Sequence, residues 1–268
     1  AAYLGIPDQW LHIHISYTML LVNISDDGDH SITKFQKCQN HGINMTTLSL
    51  VSKLSWRAID EDYSLDRYEK ELKAIKNRKR NFTPIEVAIG AGFACGGFCK
   101  LFGCDWPAFF LTSLCAFLGF RLRAHCSEFG INHYICIAIA AFVSTSLAYL
   151  CHFVPWTATP WHPLLACALF IVPGVPMINF VDDMLDNYIV VGLTRALNTF
   201  LMVCAMAFGI VFAIQLCKVP DFTTISMVPH SSYFVYAIAA AIAAMGFSMI
   251  FNIPRRLLWA VAIGGIIA

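Results

Sequence analysis

The sequence has 268 residues, of which 58% are hydrophobic and only 13% are charged, and its net charge is +1. A soluble globular domain carries about 25% charged residues, so the mean hydropathy of +0.63 indicates an integral membrane protein. The near-neutral charge gives no support for nucleic-acid binding, and most of the 11 cysteines lie in apolar runs, which is typical of reduced, buried thiols.

The N-terminal part of the chain differs from the rest, because it contains most of the acidic residues and no apolar run of span length. Residues Gln9 to Ser25 are rich in β-branched and aromatic side chains and predict a strand. Asp26 to His30 predict a turn, and Ser31 to Gln39 predict a partner strand. Two segments with the spacing of amphipathic helices follow, Thr47 to Asp60 and the highly charged Tyr63 to Arg80. These elements predict a small α+β domain.

The remainder of the chain is dominated by apolar segments long enough to cross a bilayer as helices of about 20 residues. Six complete segments lie near residues 84–103, 106–124, 132–154, 162–183, 188–216 and 233–253. A seventh begins at Leu257 and is cut off at Ala268 after roughly 12 residues, so we expect more protein to follow natively. The abrupt start without Met likewise predicts that an N-terminal piece precedes Ala1.

We therefore predict an all-α multi-pass transmembrane bundle of about six or seven spans behind a small N-terminal α+β domain. Its parts are the α+β domain at 1–82, a five-span module at 83–217 and the start of a second transmembrane module at 218–268. Basic clusters at Lys76–Arg80, Arg121–His125 and Pro254–Arg256 fall on one side if each segment crosses once. Lys and Arg are enriched in cytoplasmic loops, so the N-terminal domain should be cytoplasmic.

The fourth segment is interrupted at its centre by the sequence VPGVP, residues 172–176. Proline lacks an N–H and clashes with the carbonyl four residues earlier, so Pro173 should free the carbonyl of Leu169 and Pro176 that of Val172. Non-helical backbone is tolerated at this depth only inside protein or beside a water-filled cavity. The alternative is a plain proline kink packed against neighbouring helices.

A new half-helix is expected at this break, since Gly174 can leave helical angles and Pro176 suits a first helical position. Its free N–H groups, near Met177 to Asn179, would form a positive dipole end. Transporters place such helix ends against anionic groups of their substrates.

Asn179 and Asp183 share one face of this half-helix with Pro176, at the spacing i, i+3, i+7, whereas Asp182 and Asp186 point elsewhere. Asp183 lies near the predicted cytoplasmic end of its span. It either titrates or pairs with a cation on a transport path, or it is an interfacial acid that faces water.

The fifth segment carries an intramembrane arginine, Arg195, about two turns from its start. Such an arginine is costly and is usually paired or faces a cavity, and its planar fork suits carboxylates. Thr194 and Asn198 lie near it along the helix. Arg195 could bind a substrate carboxylate or neutralise Asp183 or Asp186 across the short loop. The two roles are compatible, because a substrate could compete for the same arginine.

Lys100 ends the first span, where it could act in gating or extend its ammonium group to the outer interface. Gly92 and Gly96 form a small-residue pattern typical of helix packing, and not a nucleotide fingerprint, because no strand precedes it. Cys95 and Cys99 share a helix face but lack a nearby histidine for a metal. No metal or cofactor site is predicted, and the N-terminal part holds no nucleophile–base set.

Three stretches of the chain carry a family resemblance: GINMTTLSLV at 42–51, CGGFCKLFGCDW at 95–106 and LFIVPGVPMINFVDDMLDNYIVVGLTRAL at 169–197. They resemble the threonine/serine exporter family, which includes two-component dicarboxylate (succinate) exporters of the bacterial inner membrane. The resemblance runs from about His12 to Leu216. Its most specific pattern is P-G-x-P-x-I-N-x-x-x-D followed by G-x-x-R, matched by Pro173, Gly174, Pro176, Ile178, Asn179, Asp183, Gly192 and Arg195.

The resemblance implies two modules, an N-terminal cytoplasmic domain with five spans and a smaller multi-span module that is fused or on a partner chain. Tyr233 to Gly265, notably FNIPRR at residues 251–256, resembles the beginning of the second module. The family's opening helices are expected to be absent upstream of the predicted strand. Many relatives carry a small residue where this chain has Asp182, which leaves the role of that acid open. We also expect a homo-oligomer.

These observations lead to the hypothesis of an inner-membrane exporter of small carboxylates, either threonine and serine or a succinate-like dicarboxylate. The predicted substrate-binding residues are Pro173, Gly174, Pro176, Asn179, Arg195 and Asn198, with Asp183 and Lys100 in gating or proton coupling. The alternatives are a non-transporting membrane subunit that needs a partner and a membrane-bound enzyme acting through its N-terminal domain.

Overall fold

A computed structural model describes residues 5–16, 18–26, 30–37, 42–219 and 232–267. Over these residues the strands are β1 (Leu11–Ile15), β2 (Met19–Ser25) and β3 (Ser31–Lys37). The α-helices are α1 (Met45–Asp60), α2 (Leu65–Lys76), α3 (Pro84–Leu101), α4 (Trp106–Glu128), α5 (His133–Tyr149), α6 (His162–Ala166), α7 (Gly174–Leu185), α8 (Ile189–Leu216), α9 (Tyr233–Ile250) and α10 (Leu258–Ile267). The chain divides into two compact units, Ala1–Arg80 with Val175–Leu197 and Asn81–Gly174 with Asn198–Ala268. The division into three modules stays a prediction.

The first unit contains an antiparallel meander in the order β1-β2-β3. The prediction of a single strand over Gln9–Ser25 is wrong, because the chain reverses where Ser16 donates its N–H to the carbonyl of Met19 at 2.9 Å. Both halves of this segment have strand-like composition, so composition alone did not reveal the turn. The predicted pairing with the next strand is confirmed, and it places Leu21 opposite Phe35.

The predicted turn at Asp26–His30 lies partly outside the described residues. Its two ends are joined, since the N–H of Asp26 donates to the carbonyl of His30 at 3.1 Å.

Both predicted amphipathic helices are confirmed as α1 and α2, and each begins at a side-chain cap. Asn44 accepts a hydrogen bond from the N–H of Thr47, and Ser64 accepts one from the N–H of Arg67. Such caps satisfy a backbone donor that has no partner inside the helix. Leu54 of α1 is fully buried in the small core that the two helices share.

The membrane-spanning helices agree with the predicted apolar segments. Among the described residues, α3, α4, α5 with the 3-10 turn that follows it, α8 and α9 are each long and apolar enough to cross a membrane. The count rises from five to six if the bent pair His162–Ile171 and Gly174–Leu185 forms one span. The seventh predicted span begins at α10 and stays a prediction.

α3 is the most buried of these helices and lies at the centre of the second unit. It begins with a capping box, in which Thr83 accepts from the N–H of Glu86 and the Glu86 side chain accepts from the N–H of Thr83. A Cβ atom added at Gly92 would lie 2.5 Å from the carbonyl oxygen of Ser113, and one at Gly96 would overlap the Ser113 hydroxyl. The predicted packing role of these two glycines is confirmed, and their partner is α4.

Candidate functional site

The fourth predicted span is broken, as its VPGVP sequence predicts. α6 ends at Ala166, a short 3-10 turn covers Leu169–Ile171, and α7 starts at Gly174. The two carbonyls that we expected to be free are not free. The N–H of Val172 donates to the carbonyl of Leu169 at 3.1 Å, and the N–H of Gly174 donates to the carbonyl of Val172 at 2.9 Å. The turn therefore satisfies these groups within the backbone.

α7 starts two residues before the predicted first position, Pro176. Pro176 therefore lies within the first turn, where its missing N–H removes no helical hydrogen bond. The expected row of free N–H groups at Met177–Asn179 is wrong, because Ile178 and Asn179 lie inside the helix. Near Met177–Asn179, the polar groups that α7 offers to a ligand are therefore side chains and not backbone N–H groups.

A tight turn at the end of α7 returns the chain as α8. The N–H of Tyr188 donates to the carbonyl of Asp183 at 2.8 Å, and the N–H of Asn187 donates to that of Met184 at 3.2 Å. This pair of bonds is a Schellman motif, and Asn187 has the left-handed conformation that the motif requires, with φ at 65°. The turn brings the start of α8 beside the end of α7.

Gly192 lets α8 approach α7 closely. A Cβ atom at this position would lie 2.7 Å from Cγ of Met184 and 3.0 Å from the carbonyl oxygen of Phe180. Arg195 follows three residues later on the same helix face. The glycine therefore sets the distance at which the guanidinium group of Arg195 meets α7.

Asn179, Asp183 and Arg195 come together at this helix pair. Nη1 of Arg195 lies 2.8 Å from Oδ2 of Asp183 and donates a hydrogen bond to the backbone carbonyl of Asn179 at 3.2 Å. Of the two acids predicted as partners of Arg195, the structure selects Asp183 and not Asp186. Within the described part of the chain, the side-chain amide of Asn179 makes no hydrogen bond, so it is available to a ligand.

The ion pair is partly shielded from solvent, with the side chains of Arg195 and Asp183 25% and 21% exposed. Oδ2 of Asp183 is buried, and its contact with Arg195 lacks the alignment of a hydrogen bond. A shielded pair without ideal geometry adds little net stability, because desolvation offsets the Coulomb attraction. Asp182 is exposed and takes no part in the ion pair.

The two remaining predicted residues make separate hydrogen bonds. Oδ1 of Asn198 accepts from the hydroxyl of Tyr134 at 2.5 Å, and sequence reasoning missed this tyrosine because it lies 64 residues away. Nζ of Lys100 donates to the carbonyl of Cys104 at 2.6 Å and lies 4.9 Å from the ring centroid of Trp106. Lys100 is only 7% exposed, so its ammonium group is surrounded by protein, and its place relative to the membrane interface stays a prediction.

Replacing Gly192 with leucine should destabilise the protein, because the side chain has to displace the backbone of α7. Overpacking of this kind costs about 1–3 kcal/mol, which lowers the midpoint of thermal unfolding in detergent by ~5 °C. Gly264→Leu in α10 is the matched control, because nothing described lies within 4 Å of a Cβ atom at Gly264. Equal midpoints for the two variants would contradict a close approach at Gly192.

Comparison with known proteins places the chain among transporters. The family described as "Putative threonine/serine exporter" matches residues 1–217. A protein of Klebsiella aerogenes named "Probable succinate transporter subunit YjjP" is 27% identical over 203 residues, which are 75% of this chain and 78% of the relative. The protein of the same name in Escherichia coli strain K12 is 27% identical over 208 residues, with the same shares covered. No solved structure matches the chain. The match over residues 1–217, which include the broken span and Arg195, shows that the chain belongs to the threonine/serine exporter family.

Proposed function

We propose that the protein exports small carboxylates across the bacterial inner membrane through a substrate site at Asn179, Asp183 and Arg195. The observation that carries this proposal is the partly buried contact between the Arg195 guanidinium and the Asp183 carboxylate. An arginine fork recognises carboxylates through paired, charge-assisted hydrogen bonds. Asp183 already contacts that group, so it stands where the carboxylate of a substrate would bind.

Substrate binding is then an exchange of carboxylates on one arginine. When the substrate takes Arg195, Asp183 loses its counter-charge. Asp183 can then take up a proton. When Asp183 releases this proton, it recaptures Arg195 and expels the substrate. The side-chain amide of Asn179, one turn before Asp183 on α7, would orient the bound substrate.

Three substrates fit this site, because each carries a carboxylate. The family description names threonine and serine, and the two relatives are named for succinate. A succinate dianion that leaves a cell with a negative interior gains ~2.3 kcal/mol per charge per 100 mV, so it needs no coupling ion. A zwitterionic amino acid gains nothing from the voltage, and its uphill export requires the proton step at Asp183.

Pro173, Gly174 and Pro176 keep their predicted place at the substrate site. In this proposal, the break at these residues lets the two halves of the fourth span change the angle between them. Because its carbonyls are satisfied locally, it does not supply a row of free groups to the substrate. Lys100 and Asn198 keep their sequence-based roles, in gating and in substrate binding, as predictions. The cytoplasmic location of the N-terminal domain and the homo-oligomer are part of the same proposal.

A second candidate function is that of a subunit that transports only together with a partner. Both relatives are named as transporter subunits, which favours this possibility. The partner would be a second exporter module, fused to this chain or on a separate one.

The test is efflux from proteoliposomes loaded with labelled threonine, serine or succinate, each with and without a proton gradient. We expect efflux of at least one of the three, and we expect a neutral analogue without the carboxylate to stay inside. Transport that appears only after a second module is added would support the subunit function. Equal efflux of the acid and its neutral amide would overturn the carboxylate site.

A further inference from the structure

The end of α3 buries a cation that has no anionic partner in the part of the chain that the structure describes. Nζ of Lys100 donates to the carbonyl of Cys104 at 2.6 Å and lies 4.9 Å from the ring centroid of Trp106. No described carboxylate forms an ion pair with it. An ammonium group has three donors, and the carbonyl occupies one of them. Since a buried charge is costly unless it is paired, this group can attract an anion.

The nearest acid in the sequence, Asp105, is engaged by other groups. Its Oδ1 accepts from the N–H of Ala108 at 2.9 Å and from the hydroxyl of Thr159 at 3.2 Å. Its Oδ2 accepts from the N–H of Ala158 at 2.5 Å. These neutral donors hold the carboxylate between the start of α4 and the segment that leads to α6. The acid therefore does not serve as the counter-ion of Lys100.

A second buried polar group meets the same connection between α3 and α4. His162, the first residue of α6, is 9% exposed, and its Nδ1 makes no hydrogen bond with any described residue. The ring interacts electrostatically with the carbonyl of Phe102 and the carboxylate of Asp105. α6 packs against this connection, because Ala166 and Cys104 share one buried cluster. Most buried polar atoms in proteins are hydrogen-bonded, so an unpartnered Nδ1 beside an unpaired cation indicates a place for a polar ligand.

The ring of Trp106 covers the ammonium group of Lys100. Lys100 itself is 7% exposed, whereas Trp106 is 47% exposed. The ammonium group therefore lies close to the molecular surface, under one side chain. A tryptophan side chain can change rotamer without any change in the backbone. The site is closed in this conformation, and rotation of one ring would open it to an anion.

We propose that Lys100, Trp106 and His162 form a second binding site for a small carboxylate, which we name the Lys100 site. The ammonium group binds the carboxylate, and Nδ1 of His162 binds another polar group of the same molecule. As an acceptor, Nδ1 suits the ammonium or hydroxyl group of threonine or serine, and as an N–H donor it suits the second carboxylate of succinate. The ligand class rests on the proposed function, because only that proposal makes the protein a carrier of carboxylates.

The Lys100 site has a definite place in the export reaction. Lys100 lies at the opposite end of α3 from the basic cluster Lys76–Arg80, which we predict to be cytoplasmic. It is therefore on the side where an exporter releases its substrate. A cation there would bind the carboxylate again after it has left Arg195 and before it leaves the protein.

The test measures binding and not transport, in the purified whole chain that carries Arg195→Ala. This background removes the proposed Arg195 contact, so carboxylate binding that remains belongs to another site. Succinate, threonine and serine are titrated while tryptophan fluorescence is recorded, and succinamide is the neutral control. We expect at least one of the three acids, but not succinamide, to cause a saturable change. No saturable change with any of the three would overturn the proposal.

Substitutions of the two buried polar residues identify the site. Lys100→Met should weaken the binding about tenfold, because it removes one charged contact and keeps the length of the side chain. Lys218→Met is the matched control, since Lys218 is an exposed lysine just after α8. Equal affinities of these two variants would contradict the Lys100 site. His162→Phe should weaken binding about threefold, because it keeps a ring and removes its nitrogen atoms. An unchanged affinity would contradict the role of His162.

The fluorescence change has to come from Trp106, which is one of six tryptophans in the chain. Trp106→Phe should abolish the change, while calorimetry still detects binding. This variant decides the proposal even if Lys100→Met fails to fold, because a fluorescence change that persists without Trp106 would place the ligand elsewhere. Saturation by the anionic lipid phosphatidylglycerol, but not by any of the three acids, would overturn the carboxylate site in favour of a lipid site.

The Lys100 site and the proposed function fail by different results. Normal efflux by Arg195→Ala would contradict the transport role of Arg195, whereas binding that depends on Lys100 in the same variant would still support the Lys100 site. Lost efflux together with no binding that depends on Lys100 would overturn the Lys100 site alone.

Discussion

Replacing Arg195 with alanine should abolish carboxylate efflux from loaded proteoliposomes. The substitution removes the guanidinium that would hold the substrate and leaves Asp183 as a partly buried charge without a partner. Hydrogen bonds to charged groups contribute about 1.5–3 kcal/mol each, so we expect the initial rate of efflux to fall about 100-fold. Arg195→Lys should keep part of the activity, since lysine retains the charge but not the planar fork.

Loss of folding has to be separated from loss of transport in this experiment. Removing one member of a buried pair costs about 3–5 kcal/mol, and the cost should be smaller here because both side chains are partly exposed. The double variant Arg195→Ala with Asp183→Ala leaves no unpaired charge. It should unfold at nearly the wild-type temperature and still not transport. Normal efflux by the single Arg195→Ala variant would contradict the proposed role of Arg195 in substrate binding.

Replacing Asp183 with asparagine should raise the apparent affinity for substrate and remove any dependence of efflux on the proton gradient. Asparagine has nearly the same shape but neither competes for Arg195 as an anion nor carries a transferable proton. If the contact between Asp183 and Arg195 that competes with substrate is worth about 1.4 kcal/mol, its removal should lower KM about tenfold. The measurement is substrate-dependent counterflow, followed by efflux with and without an imposed gradient.

The neighbouring residue provides the matched control for this variant. Asp182 has the same chemistry on the same helix but is exposed and takes no part in the pair with Arg195. Asp182→Asn should therefore leave KM and gradient dependence unchanged. The same shift in both variants would indicate a general effect of negative charge on α7. No shift in the Asp183 variant would show that Asp183 does not compete with substrate.

The helices were predictable because their signals are local. Apolar length located the spans, and turn and cap residues such as Thr83 and Asp105 mark where α3 and α4 begin. The break of the fourth span was visible in Pro173 and Pro176, since proline acts on its own backbone. The start of α7 was misplaced by two residues because the local turn ends at Val172, and the helix begins at Gly174, before Pro176.

The sequence by itself determined that this is a multi-pass membrane protein, where its helices lie and which polar residues sit within them. These properties depend on composition and on residues within about four positions of one another. Only the tertiary structure decided the partners: Asp183 for Arg195, Tyr134 for Asn198 and α9 for α3. Such contacts depend on how closely helices approach. That distance is set by turns and small residues, such as Asn187 and Gly192, whose effect appears only when two distant segments meet.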